Sequence, residues 1–316
     1  MNDKCVVLNA QKINFDGKID LSVLSSQVDI YDDTSPDQLL DRIRGAGIVV
    51  TKEMPVSGEL IRRFPESVKL ICEAGTGYNN LDLDAARAMG ITVCNIPAYS
   101  SERVAHTAIM MLLNLSSSMQ MQIKMLARGD RGNFTKNLQV PHTEVNGKTL
   151  GVIGAGHIGK TVIKIARALD MNILVYTRTP GKDSEGIRYV DLETLLKNSD
   201  YVSLHCPLTP GTWHMINKDA LALMKPTAFI INTSRGALID EAALIEALEA
   251  HTIAGAGLDV QESEPPAENS PLYTLDNVIL TPHMGWKGLE TRQRLVSVLA
   301  DNIAGFLAGT PRNVVS

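Results

Sequence analysis

One turn constrains the fold of this chain more than any other feature. The short apolar run Thr149–Ile153 is followed at once by Gly154-Ala-Gly156-His157-Ile158-Gly159, and a helical pattern begins there. Three glycines at GxGxxG spacing between a strand and a helix have separate tasks. Gly154 makes the tight turn, Gly156 lets the backbone approach a pyrophosphate, and Gly159 allows close helix-to-strand packing while the helix N-terminus faces the negative charge. The same stretch also satisfies GxxxxGK[ST] through Lys160 and Thr161, the phosphate loop of nucleotide hydrolases. That reading needs an acidic magnesium ligand at another strand end, and the runs 201–205 and 230–232 end without one, leaving only Asp259. A dinucleotide site is therefore favoured, with a nucleotide hydrolase as an alternative.

Around this turn, short apolar runs alternate with helical patterns. Runs at 5–8, 28–31, 47–51, 70–72 and 91–94 enclose helical patterns at 36–44, 58–64 and 83–89. A long helix is expected over 101–127, then a loop-like stretch over 128–146 containing Gly129, Gly132 and Pro141. A second series follows with strands at 149–153, 173–176, 201–205, 228–232, 254–259 and 278–280, the six strands of a complete dinucleotide-binding sheet, and a last helix at 288–307. Alternation of this kind implies parallel βαβ units. The expected fold class is α/β, with two doubly wound parallel-sheet domains and an active-site cleft between them. At 316 residues the chain exceeds what one core usually supports.

Composition narrows the function classes. The net charge of -5 comes without a Lys/Arg-rich run, so neither nucleic acid nor a membrane surface is an expected partner. No apolar run approaches the ~20 residues of a spanning helix, and the start lacks a signal-peptide pattern, which makes the cytoplasm the expected location. Cys5, Cys72, Cys94 and Cys206 have no CxxC spacing, so neither a metal site nor a disulfide framework is expected.

In a dinucleotide-binding sheet the second strand should end in Asp or Glu about 20 residues past the glycines, where it bonds the ribose 2′-hydroxyl. Here that place reads Tyr176-Thr177-Arg178-Thr179, so a 2′-phosphate would meet a hydroxyl and a cation. NADP is the expected cofactor, with NAD as a second.

Three further residues follow the later strands, at the edge where α/β sheets place ligands. Arg235 follows residues 230–234, Glu264 follows Gly257-Leu-Asp259 and precedes Pro265, and His283 follows Leu280-Thr-Pro282. Reduction of a 2-oxo acid needs a cation for the carboxylate and carbonyl, a hydride donor, and an acid for the new alkoxide. Arg235 suits the first task through its permanent, forked charge. His283 suits the last, and Glu264 beside it would stabilise the imidazolium. Singly each residue could be structural; together they point to a dehydrogenase.

The chain resembles the D-isomer-specific 2-hydroxyacid dehydrogenase family over essentially its whole length. The matching stretches are Ala74-Gly-Thr-Gly-Tyr-Asn-Asn-Leu-Asp82, the glycine turn, Leu204-His-Cys-Pro-Leu-Thr209, Asn232-Thr-Ser-Arg-Gly236, Asp259-Val-Gln-Glu-Ser-Glu-Pro265 and Thr281-Pro-His283. The resemblance implies that Arg235, Glu264 and His283 are catalytic, and that amides around Gly75, Thr76, Gly77 and Tyr78 hold the substrate carboxylate. It implies cofactor contacts from His157 and Ile158 in the turn and from Thr177, Arg178, His205, Cys206, Pro207, Thr209, Thr233, Asp259 and His283. It also implies a flavodoxin-like substrate domain, residues 1–98 with 288–316, and a Rossmann cofactor domain, residues 99–287, with residues 101–146 at a homodimer interface. His106 departs from the family, which has Glu or Gln there.

Formate dehydrogenases of the family carry Gln at the Glu264 position, and phosphite dehydrogenases carry a Lys in the loop where residues 73–77 have none. Phosphoglycerate dehydrogenases have basic residues for the phosphate. Met284-Gly285-Trp286 resembles the glycerate dehydrogenase and hydroxypyruvate reductase branch, with Trp286 expected to help close the site. Hydroxypyruvate and glyoxylate are the expected substrates, giving D-glycerate and glycolate, with pyruvate or a branched 2-oxo acid behind them. Some members are nucleotide-sensing corepressors, which leaves an NAD(H)-binding protein without turnover as a second alternative.

Overall fold

A computed structural model describes residues 2–316, which divide into two compact units, residues 2–100 with Lys287–Ser316, and Ser101–Trp286. In the first unit β1 (Cys5–Val7), β2 (Val28–Ile30), β3 (Ile48–Thr51), β4 (Leu70–Glu73) and β5 (Thr92–Cys94) form a parallel sheet in the order β2-β1-β3-β4-β5. That order puts the topological switch between β1 and β3, as in flavodoxin-like sheets. Both β3 and β4 are buried along their whole length, which is why they read as continuous apolar runs without alternation. Helices α1 (Pro36–Arg42), α2 (Gly58–Ile61), α3 (Leu83–Ala88) and the C-terminal helix Leu289–Leu307 belong to this unit. Ser57 and Asp82 start α2 and α3 by accepting the amides of Leu60 and Ala85. The core joins Val6, Val49, Ile71 and Val93 of the strands to Leu39, Ile43, Ile61 and Phe64. Arg292 ties the C-terminal helix down: it is 2% exposed and its guanidinium donates to both carboxylate oxygens of Asp16, at 2.8 and 2.7 Å.

The second unit opens with α4 (Ser101–Ser116), α5 (Met119–Ala127) and α6 (Gly132–Thr135). Then come β6 (Thr149–Ile153), α7 (His157–Ala168), β7 (Asn172–Tyr176), β8 (Ile187–Tyr189), α8 (Leu192–Asn198), β9 (Tyr201–Leu204) and α9 (Lys218–Leu223). The unit closes with β10 (Phe229–Asn232), α10 (Glu241–Glu249), β11 (Gly255–Leu258) and β12 (Val278–Leu280). All seven strands are parallel, in the order β12-β11-β10-β9-β6-β7-β8. Counted from β6 this is the dinucleotide-binding order with one further strand at the β12 edge, and β6 lies at the switch point. Asp191, Asn217 and Asp240 cap α8, α9 and α10 with their side chains.

Two expectations change here. The single helix over 101–127 is two helices, broken where Ser118 takes a left-handed conformation, φ 49°. Ser116 and Ser117 hydroxyls bond back to the carbonyl of Leu113, and Ser118 Oγ donates to Pro141 O, local bonds that compete with a continuing helix. The sheet has seven strands where six are expected, because β8 is a three-residue edge strand whose partial exposure leaves no apolar run to read.

Candidate active site

The glycine turn is built as its spacing demands. Gly154 has φ 97°, and a Cβ there would stand 2.7 Å from Cys206 N, so side chains are excluded by both conformation and space. Gly159 packs α7 against the turn so closely that a Cβ would meet Gly154 O at 2.0 Å. In front of Gly156 there is open space, with no atom within 4 Å of a Cβ position, and this is where a pyrophosphate would lie against the N-terminus of the 12-residue α7. His157 is exposed and Ile158 half-buried at that terminus. Thr161 Oγ1 donates to His157 O at 3.0 Å, within its own helix.

The walls of this region hold polar atoms that lack protein partners. Thr233 is 7% exposed and its buried hydroxyl bonds to none of the described residues. His205, 8% exposed, sits with Nε2 2.8 Å from Ser203 Oγ while its buried Nδ1 is likewise unpartnered. Buried polar atoms are nearly always hydrogen-bonded, so two orphans at the carboxyl ends of β9 and β10 fit a site completed by a bound dinucleotide. Burial lowers the His205 pKa to about 3, keeping the ring neutral, and pushes the Cys206 thiol up to about 11, keeping it an apolar wall. Pro207 and Thr209 are exposed on the same loop. At the end of β7, Thr177 is half-buried and Arg178 exposed.

Arg235, Glu264 and His283 follow the adjacent strands β10, β11 and β12. His283 Nδ1 lies 2.8 Å from Glu264 Oε2, and Glu264 Oε1 accepts the Gln261 amide at 3.2 Å. The side chains are 19% and 36% exposed, so the pair is open to a ligand. Arg235 is half-buried, donates one guanidinium hydrogen bond to Ser234 O at 2.7 Å, and has no carboxylate partner among the described residues. Gly236 lets its loop reach that of Glu264, since a Cβ there would come 1.9 Å from the Gln261 carbonyl carbon.

Asp259 has a role besides the cofactor contact expected of it. It is 1% exposed, and its carboxylate accepts Thr281 Oγ1 at 2.6 Å, Met284 N at 2.8 Å and Gly285 N at 2.8 Å, while its carbonyl accepts His283 N at 2.8 Å. The residue expected at the cofactor thus spends its carboxylate bracing the loop that carries His283. His283 itself has φ 47°, a strained conformation that this bracing holds. A signal was available in the Asp-to-Thr-Pro-His spacing, but only the strand pairing brings those residues together. Trp286 is 5% exposed, and His106 is exposed on α4.

In the first unit, Gly75, Thr76, Gly77 and Tyr78 follow β4. The carbonyls of Gly75 and Thr76 accept from Ile96 N and Asn95 Nδ2, fixing the turn. The four successive amides of this turn donate to no acceptor among the described residues, which leaves a row of N–H groups suited to an anion.

Residues 109–285, more than half of the chain, match the family model described as D-isomer specific 2-hydroxyacid dehydrogenase, NAD binding domain. The chain belongs to this family. It is 40% identical to the glycerate dehydrogenase of Methylorubrum extorquens over 291 residues, covering 90% of each chain. It is 37% identical to the hydroxypyruvate reductase of Blautia hydrogenotrophica over 325 aligned positions, covering 99% of each. The solved structure of an acyclic imino acid reductase in complex with NADPH and D-Arg superposes with a TM-score of 0.85 at 29% identity, covering 99% of this chain and 100% of that one. The chain is accordingly an NAD(P)-dependent 2-hydroxyacid dehydrogenase, and the nucleotide-hydrolase reading of Lys160 and Thr161 falls away.

Proposed function

We propose that this dehydrogenase reduces hydroxypyruvate and glyoxylate to D-glycerate and glycolate and prefers NADPH to NADH. The observation that carries the reading is the His283–Glu264 pair, 2.8 Å apart, with Arg235 after the neighbouring strand β10 and without a carboxylate partner among the described residues. The names of the two relatives above support the choice of acid.

The bound nicotinamide supplies the hydride for the carbonyl carbon. Arg235 pairs with the carboxylate and polarises the carbonyl, which stabilises the charge that grows on its oxygen. Because His283 points Nδ1 at Glu264, its Nε2 is the nitrogen that delivers a proton to the nascent alkoxide. Glu264 fixes that ring orientation and stabilises the imidazolium before transfer. In the reverse direction His283 takes the proton. The turn of Gly75, Thr76, Gly77 and Tyr78 receives the substrate carboxylate through its amides.

The cofactor preference rests on Thr177 and Arg178 at the end of β7, where a carboxylate would repel a 2′-phosphate and a guanidinium attracts it. A homodimer is supported by an apolar surface on the segment after α4: α5 buries no residue, and Met119, Ile123, Leu126, Phe134 and Leu138 are 44–79% exposed. No helix among the described residues is long and apolar enough to cross a membrane, and we place the enzyme in the cytoplasm.

The test follows NADPH and NADH absorbance against hydroxypyruvate, glyoxylate, pyruvate and phenylpyruvate. Faster turnover with hydroxypyruvate and NADPH is expected. Turnover only with the larger acids would overturn the substrate, and equal kcat/KM for both cofactors would overturn the preference. Arg178→Ala should raise KM for NADPH while leaving that for NADH unchanged.

A further inference from the structure

The first unit holds a buried lysine that the reaction above does not use. Lys52 is the residue after β3, at the carboxyl end of the sheet beside the β1–β3 switch point, where doubly wound sheets bind ligands. It is 2% exposed. Lysine is almost never so buried unless its charge is balanced. Its backbone is pinned by the Asn9 side chain, which accepts Lys52 N at 2.9 Å and donates to Lys52 O. Its ammonium is paired with the Glu53 carboxylate.

Two further features aim this cation at the turn. A Cβ placed on Gly75, the first residue of the amide row, would lie 3.3 Å from Lys52 Nζ and 3.4 Å from Glu73 Oε1. Glu73, opposite Thr51 in the β3–β4 register, accepts Thr51 Oγ1 at 2.8 Å, Asn80 Nδ2 at 2.9 Å and Glu53 N at 2.9 Å. Its carboxylate thereby ties the end of β3 to the far end of the turn. Burial pushes its carboxyl above the usual range, against the opposing pull of Lys52 and of these hydrogen bonds.

We propose that Lys52 is a positioning residue for substrate binding whose ammonium, held beneath Gly75 by Glu53 and Glu73, supplies the positive charge that draws the carboxylate of a 2-oxo acid onto the amides of Gly75, Thr76, Gly77 and Tyr78. The inference rests on the reading of this turn as the carboxylate site. Lys52 acts through the turn and is a positioning residue, since at its burial it is screened from direct contact. Glu53 competes with the substrate for the same charge, so the two residues have opposite effects.

Opposite effects make the test decisive, because a purely structural pair would fail in the same direction. With saturating NADPH, Lys52→Met should raise KM for hydroxypyruvate about tenfold, the order expected for one charge removed a few ångströms from the bound carboxylate. Oxalate, an unreactive dianion, should weaken in parallel by calorimetry, while kcat and the NADPH Kd stay near wild type. Lys52→Arg should recover most of the loss, and Glu53→Gln should lower KM. An unchanged KM in Lys52→Met, or a rise in KM in Glu53→Gln, overturns the proposal. If Lys52→Met does not fold, Lys52→Arg and Glu53→Gln decide alone. Absence of wild-type turnover refutes the proposed reaction, and oxalate binding then decides the role of Lys52.

Discussion

Acid should destabilise the second unit through one neutral histidine. His205 is buried with a pKa of about 3 in the folded chain, against an ordinary value near 6.5 when unfolded. Between those values the unfolded chain binds the extra proton, so stability is full above pH 6.5, falls as pH drops through the window, and the contribution is exhausted below pH 3. At pH 5.0 the gap is about 1.5 units, and at about 1.4 kcal/mol per unit the loss is roughly 2 kcal/mol. The carboxylates held low, such as Asp200 and Asp276, lose their contribution only as pH falls below their ordinary value of 3.8, so they leave the range from pH 7.5 to 5.0 clear. Trp213 and Trp286 are the two tryptophans of the chain and both lie in the second unit, so urea unfolding followed by tryptophan fluorescence reports on the unit that holds His205. Between pH 7.5 and 5.0 the wild type should lose about 2 kcal/mol more than His205→Asn, whatever their absolute stabilities. Parallel losses in the two chains would refute the argument.

Other consequences are more local. His283→Ala should lower kcat by orders of magnitude with an unchanged NADPH Kd, whereas Arg235→Ala should act mainly on KM for the 2-oxo acid; steady-state kinetics with fluorescence titration separates the two. Asp259→Ala leaves the Thr281 hydroxyl and the Met284 and Gly285 amides without their acceptor, at about 1–3 kcal/mol for each group that stays buried, and should both destabilise the second unit in urea and lower kcat. Gly236→Ala forces a methyl into the Gln261 backbone, so the loops bearing Arg235 and Glu264 must separate, and turnover should collapse more than the melting temperature falls.

Much of the fold is legible because buried parallel strands write themselves as uninterrupted apolar runs. The same physics explains the omissions. The β8 strand has three residues and a polar face, so nothing distinguishes it from loop. The break at Ser118 depends on hydroxyls finding carbonyls in the preceding turn and at Pro141, and Pro141 is remote in sequence. In the site, the chemistry-bearing residues Arg235, Glu264 and His283 are visible one by one, since each follows an apolar run. What they do to one another is not, because the pairing of His283 with Glu264 and the bracing by Asp259 arise from the adjacency of β11 and β12. The Lys52–Glu73 arrangement is hidden for the same reason: a Lys after an apolar run reads as a solvated strand end until β3 and β4 are set side by side.

Arg235, Glu264 and His283 all belong to one unit, on three consecutive strand ends, whereas Lys52 and the amide row belong to the other. The groups that move the proton and the residues proposed to draw in the carboxylate thus come from separately packed units. The hydrogen bonds that set the imidazole, from Glu264 and from the loop that Asp259 braces, are all made within the second unit. Substitutions around Lys52 and the amide row should therefore shift KM for the acid before they shift the pH dependence of kcat.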